Sequence, residues 1–159
     1  MDRLWAPWRA EYIRAERAPG CIFCDKQEGD DADNLVVARG ELCFALLNTF
    51  PYTNGHVMVA PYEHTGELGS LSAEQSTELF GLTRTVVAGL EEALAPHGFN
   101  VGLNLGRVAG AGIEDHLHVH IVPRWDGDTN FMPVLAEARV ISQSLQETYE
   151  LLAAALQGK

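Results

Sequence analysis

A chain of 159 residues with 47% hydrophobic content is long enough for one domain with a real core, and no second domain is expected. Its 22 acidic against 11 basic residues give a formal charge of −11, which argues against a protein that grips long nucleic acid by neutralising phosphates. A small anionic ligand stays open, provided a local array of donors holds it. No run approaches the roughly 18 to 20 apolar residues of a membrane span, and the opening MDRLWAPWRAEYIRAERAPG lacks the apolar core of a signal peptide. A cytoplasmic protein with no membrane partner is expected. Three cysteines cannot all pair within the chain, and a reducing compartment makes a metal site more plausible than a disulfide framework.

Residues 1–18 mix Trp5, Trp8, Tyr12 and Ile13 with four arginines, which suits an arm packed on the body. Pro19-Gly20 breaks the chain before Cys21-Ile22-Phe23-Cys24, a spacing that lets two thiolates bind one tetrahedral ion but also fits a redox pair or chance. Asn34 to Ala38 and Glu41 to Leu47 read as strands around the turn Arg39-Gly40, with Cys43 as a small buried hydrophobe. Asn54-Gly55 is a strong turn signal and leaves His56 at the start of the strand His56 to Ala60. Ser72-Ala73-Glu74-Gln75 is a capping-box sequence that opens a helix running to Pro96. Leu79, Leu82, Val86, Leu90 and Leu94 form its apolar stripe, and Glu78 stays wet.

Phe99 to Leu105 alternates, with Phe99, Val101, Leu103 and Leu105 toward the core and Asn100, Gly102 and Asn104 on the other face. A loop with three glycines, Gly106 to Ile113, permits close approach of backbone N–H groups to an anion. Then comes Glu114-Asp115-His116-Leu117-His118-Val119-His120-Ile121-Val122-Pro123-Arg124. Histidines at every second position stand in a row on one face of a β-strand, about 6.5 to 7 Å apart, with Leu117, Val119 and Ile121 facing the core. Pro123 is expected to end the ladder. An imidazole titrates near pH 6.5, so each histidine can act as nucleophile, acid, base or metal ligand after a small shift. After the polar turn Trp125 to Asp128, Val134 to Leu156 reads as a closing helix for packing or dimer contact, with Ile141, Leu145, Tyr149 and Leu152 on one stripe.

The order His-apolar-His-apolar-His-apolar-apolar resembles the signature of the histidine triad (HIT) superfamily of nucleotidyl hydrolases and transferases. NTFPYTNGHVMVAP (48–61) and FNVGLNLGRVAGAGIEDHLHVHIVPR (99–124) are similar to its fragile-histidine-triad branch, and especially to bacterial diadenosine tetraphosphate phosphorylases. The resemblance implies an α+β fold, an antiparallel meander-like sheet with helices on one face. The resemblance covers most of the chain and thins after about Phe131; 1–159 is expected to form one HIT domain, with an arm 1–18, a core 19–131 and a C-terminal helix 132–159.

The same resemblance implies the site. His118 would attack the α-phosphorus, with its other ring nitrogen held protonated by a backbone carbonyl. His120 and His56 would donate to phosphate oxygens, Asn104 would hold the bridging oxygen, Gly112 would offer an N–H, and Asn48 would hold ribose hydroxyls. Relatives commonly place serine or threonine where Gly112 sits, so one phosphate-contacting hydroxyl is missing here. Zinc-bearing members use a histidine at the place of His64, which makes Cys21, Cys24, His64 and His116 the implied ligands of a structural zinc. A divalent cation such as magnesium, bound with the nucleotide substrate, and a homodimer belong to the same expectation.

The implied reaction is phosphorolysis of diadenosine tetraphosphate through a nucleotidyl-histidine intermediate; hydrolysis of dinucleoside polyphosphates or nucleoside phosphoramidates is the alternative. The uridylyltransferase branch carries glutamine at the third position, so His120 argues against it. Two rivals are a metallohydrolase whose strand histidines hold a catalytic zinc, and a nucleotide-binding protein without turnover. Arg124 serves either a phosphate or a salt bridge at the strand end.

Overall fold

The computed structural model describes residues 20–128 and 143–157; the expected arm and the first half of the expected closing helix lie outside them. Five antiparallel strands form one sheet in the order β1-β2-β3-β5-β4: β1 (Val36–Arg39), β2 (Cys43–Leu47), β3 (Val57–Pro61), β4 (Gly98–Leu103) and β5 (Val119–Arg124). Four helices accompany them among the described residues, α1 (Ile22–Asp25), α2 (Asp31–Asn34), α3 (Ala73–Leu94) and α4 (Leu145–Leu156). The expected α+β fold is borne out.

Strand alternation sorts the side chains into two clusters. Residues directly opposite each other share a face, so Leu47, Val57 and Ile121 lie on one side while Leu46, Met58 and His120 lie on the other. The first side carries the larger core, Cys43, Ala45, Val57, Val59, Val119 and Ile121 packed under Leu79, Val86, Leu90 and Leu152 of α3 and α4. Gly89 lets these helices close together, since a Cβ there would lie 2.6 Å from Leu156 Cδ2. The second side holds Val36, Phe44, Leu46, Met58 and Ala60, roofed by Phe23 of α1. The triad therefore stands on the sheet face opposite α3.

Both long helices begin with capping boxes, Ser72 with Gln75 and Ser144 with Glu147, which satisfy N–H groups that the first turn leaves open. Several expectations are corrected. The strand expected from Asn34 begins at Val36, because Asp30 caps a helical turn and Leu35 then adopts the left-handed conformation (φ 59°). Cys21 caps a single helical turn, Ile22–Asp25, that contains Cys24. Glu78 is no solvent-facing charge: its carboxylate accepts the backbone N–H groups of Leu42 and Cys43 at 2.7 and 2.8 Å and so holds the β1–β2 turn on α3. Val101 and Leu105 are 47% and 46% exposed, because β4 has a neighbour on only one side and its chain turns away after Leu103.

Candidate active site and metal centre

Only His120 lies within a strand. β5 begins at Val119, so His116, in a bend, and His118, in irregular chain, stand just before the ladder. The cause is Pro61, which ends β3 and has no N–H to offer. The carbonyl of Pro61 instead accepts the His116 Nε2–H at 2.8 Å, and the Leu117 N–H turns to the Thr65 carbonyl. Pro123 does not end the ladder as expected. It lies inside β5 opposite Phe99, beyond the point where pairing with β3 stops, and its carbonyl accepts the Thr53 hydroxyl.

Hydrogen bonds fix which nitrogen of each imidazole in the candidate site carries the proton. His118 Nδ1 lies 2.8 Å from the His116 carbonyl and must donate to it, so Nε2 keeps its lone pair. His56 is 0% exposed, and its Nδ1 accepts the Tyr52 backbone N–H at 3.1 Å, with the Asn48 amide nitrogen at 3.3 Å. Its proton therefore sits on Nε2 and is donated to His120 Nδ1 at 2.9 Å. That places the His120 proton on Nε2. Tyr52 stacks on the His56 ring at 4.7 Å, and the rings of His118 and His120 meet edge to face at 4.7 Å. With both nitrogens engaged, His56 does not fit the direct phosphate-donor role expected for it; it positions His120.

Burial, then the neighbouring His120 and His118, push the His56 pKa down to about 3. Burial also lowers His118, against the opposing pull of the His116 carbonyl bond, and it lowers His116. The imidazoles are thus neutral near pH 7, the form a nucleophile needs. A sign follows for stability. The unfolded chain titrates its histidines near 6.5 and takes up more protons below that pH than the folded one. The contribution is full above pH 6.5 and is lost as pH falls toward 3, at no more than about 1.4 kcal/mol per pH unit for each group. Thermal melts should show Tm falling from pH 6.5 to 4, with a shallower fall in His56→Gln; parallel profiles for the two proteins would contradict this account.

The remaining expected residues are placed as follows. Asn104 directly follows Leu103, and His118 directly precedes Val119, the last pair of the β4–β5 ladder, so both leave the same end of that ladder. Gly112 is half-buried in the segment leading to His116. Asn48 accepts the Phe50 N–H on Oδ1, which fixes its amide beside His56. Arg124 serves the strand end, paired with Asp128 at 2.9 Å and donating to Asn100 at 2.8 Å.

Cys21, Cys24, His64 and His116 converge, with one ligand atom from each and all four within 4.8 Å of one another. Nδ1 of His64 and of His116 are 3.3 Å apart, and the closest sulfur–nitrogen approaches are 3.3 Å each. Tetrahedral zinc with bonds of about 2.0–2.1 Å to nitrogen and 2.3 Å to sulfur requires edges of about 3.3 to 3.8 Å, so the donor types and these three approaches fit. The Pro61 carbonyl completes the match by holding the proton on His116 Nε2, which leaves Nδ1 for a metal. Burial and the adjacent Cys21 thiol push the Cys24 thiol up, a cost that a cation in the cluster would reverse. Among the described residues the three triad histidines do not form such a cluster, which removes the geometry a triad-held catalytic metal would need.

Three contributors had no counterpart in the sequence reading. Tyr52 supplies the backbone N–H and the ring that lock His56. Phe23 packs against the rings of His118 and His116 with centroids 4.7 and 4.9 Å away. Thr148 of α4, 1% exposed, donates its hydroxyl to Asn54 Oδ1 at 3.0 Å and so ties the closing helix to the turn that delivers His56. For Phe23 a signal existed, since it lies between the two cysteines; for Thr148 none did.

Fold and site define a protein that presents a neutral, tautomer-locked imidazole beside a Cys/His group able to hold a metal, on an antiparallel sheet. Comparison with known proteins sharpens that class. The family model for the HIT domain matches residues 30–127. AP-4-A phosphorylase of Mycobacterium tuberculosis is 42% identical over 162 residues, covering 96% of this chain and 83% of that protein. An adenosine 5'-monophosphoramidase of Schizosaccharomyces pombe is 35% identical over 104 residues, 65% of this chain and 74% of that protein. The crystal structure of a Zn-bound histidine triad family protein from Mycobacterium smegmatis, 25% identical, superposes with a TM-score of 0.67 over 86% of this chain and 93% of its own. The chain belongs to the histidine triad family.

Proposed function

We propose that this protein is an enzyme that cleaves diadenosine tetraphosphate, or a related dinucleoside polyphosphate, at the α-phosphate and resolves the intermediate with orthophosphate. The observation that carries the reading is the bond from His118 Nδ1–H to the His116 carbonyl, which leaves a neutral imidazole with its lone pair on Nε2. Nε2 attacks the α-phosphorus, the bond to the bridging oxygen breaks, and ATP leaves as adenylyl-His118 forms. Orthophosphate then attacks the same phosphorus, the P–N bond breaks and ADP departs. The His120 Nε2–H, made a donor by the His56 relay, stabilises the charge on the transferring phosphoryl oxygens. Asn104, just past the end of β4 as His118 is just before the start of β5, and the Gly112 N–H complete the phosphate contacts. Asn48 retains one amide hydrogen and one lone pair for ribose hydroxyls. Likeness to AP-4-A phosphorylase over 96% of this chain supports the substrate class.

A structural zinc on Cys21, Cys24, His64 and His116 belongs to the proposal, supplying a closed tetrahedral node with no open position for chemistry. Magnesium accompanies the substrate, whose charge this acidic protein would otherwise repel. Both thiols must remain reduced to hold a metal, which suits a cytoplasmic setting. A homodimer is proposed as well, supported by the edge of β4, which pairs with no further strand among the described residues, and by the exposed Val101 and Leu105. Hydrolysis is the second reading, favoured by Gly112, where a phosphate-binding hydroxyl is absent.

Product analysis separates the two. Diadenosine tetraphosphate incubated with magnesium should give ADP and ATP only when orthophosphate is present. AMP and ATP formed without phosphate would make the protein a hydrolase, and cleavage of an adenosine phosphoramidate alone would overturn the dinucleotide assignment.

A further inference from the structure

We propose that Phe23 is a positioning residue for the nucleophile, coupling the metal cluster to the reaction centre through its contact with the His118 ring. The inference rests on the nucleophilic reading of His118. Phe23 lies between two ligand residues, Cys21 and Cys24, on a helix of one turn that has no side-chain cap. A helix that short has no stability of its own. Its place is set by what packs on it, and two of the four cluster residues belong to it, Cys21 as its N-cap and Cys24 within it.

The Phe23 ring is 0% exposed and leans on His118 at 4.7 Å with a 36° tilt, within the range of favourable aromatic contacts. It leans in the same way on His116, at 4.9 Å and 35°. The His118 ring is thus constrained twice from the same cluster. The carbonyl of His116, a cluster residue, holds Nδ1–H, and Phe23 closes one side of the ring. One hydrogen bond leaves an imidazole free to tilt about it; a wall stops the tilt. An attacking atom displaced by about 1 Å costs on the order of 10²-fold in rate. Phe23 also belongs to the apolar cluster with Val36 and Met58, so simple core packing is the competing account.

The test compares Phe23→Leu and Phe23→Met with Val36→Ala, each in the metal-loaded protein. Val36 is 2% exposed in the same cluster, on β1, away from the histidines. For both Phe23 variants kcat for diadenosine tetraphosphate should fall about 10-fold or more, with KM within about twofold and bound zinc still one per chain. Val36→Ala should lose comparable thermal stability and keep its kcat. At a single pH, ¹H–¹⁵N correlation of the His118 ring should change from one fixed tautomer to an averaged pattern in the Phe23 variants only.

The idea is overturned if the Phe23 variants keep kcat within twofold, lose it only as much as Val36→Ala, or raise KM alone, which would make Phe23 a substrate contact. Unchanged ring signals in a Phe23 variant overturn it as well. If the wild-type protein turned over no dinucleotide, the functional reading would fail, while the ring signals would still decide whether Phe23 holds His118.

Discussion

Replacing His118 by alanine is expected to lower turnover of diadenosine tetraphosphate by at least about 10³-fold, because no other group can form the covalent intermediate. Nδ1 of His120 accepts from His56, and that proton comes from an imidazole locked in one tautomer behind Tyr52. His120 is therefore arranged to donate from Nε2, and His116 points into the cysteine cluster. Nucleotide binding should survive, since Asn48 keeps its place through the Phe50 N–H and His56. The expected pattern is a collapse of kcat with a dissociation constant changed only a few-fold. Acid-labile labelling of the wild-type protein by substrate should vanish in the variant. Retained labelling would place the nucleophile elsewhere, and retained turnover would remove the covalent route altogether. Bound metal should stay at one per chain, which distinguishes loss of chemistry from loss of the neighbouring cluster.

Much of this site was legible because strand alternation is a strong constraint. It put His120 on one face and Val119 and Ile121 on the other, and in the sheet His120 indeed shares its face with Met58 while Ile121 shares the other with Val57. The Ser72 capping box marked the start of α3 to the residue. What failed was what depends on partners far away in sequence. The alternation of His116 and His118 looks like continuing strand, yet Pro61, some 55 residues earlier, withdraws the N–H that a ladder would need. Glu78 carries every mark of a surface residue and is claimed by two backbone donors across the sheet. His56 was recognisable as a neighbour of the triad, but its burial behind Tyr52 and its bond to His120 arise only when the strands assemble. One signal was there to be read: Ser144-Leu145-Gln146-Glu147 is itself a capping box, and it places the start of α4 well after Val134.

Stripping the metal should release the Cys21 to Cys24 turn while leaving the larger core standing. The two faces of the sheet are covered by different means. α3 and α4 close one face through Leu79, Val86, Leu90 and Leu152, with no help from the cluster. On the other face Phe23 is the roof over Phe44, Leu46 and Met58, and the proposed zinc would keep it there by tying Cys21 and Cys24 to His64 and His116. Losing the node re-exposes Phe23, at about 2 to 3 kcal/mol, and uncovers part of the apolar surface beneath it. A total near 3 to 5 kcal/mol corresponds to a fall in Tm of about 10 °C in a domain of this size. That is a large share of the roughly 5 to 15 kcal/mol by which domains are stable, but not all of it. Chelator-treated protein and Cys24→Ser should therefore melt about 10 °C lower with strand and helix signals intact, and turnover should drop with metal content rather than with unfolding. Addition of one equivalent of zinc should restore both in the chelated protein and neither in Cys24→Ser. A Tm unchanged on metal removal would mean that the apolar cluster alone holds α1 in place. Complete unfolding would mean that the helix-covered core is not self-sufficient.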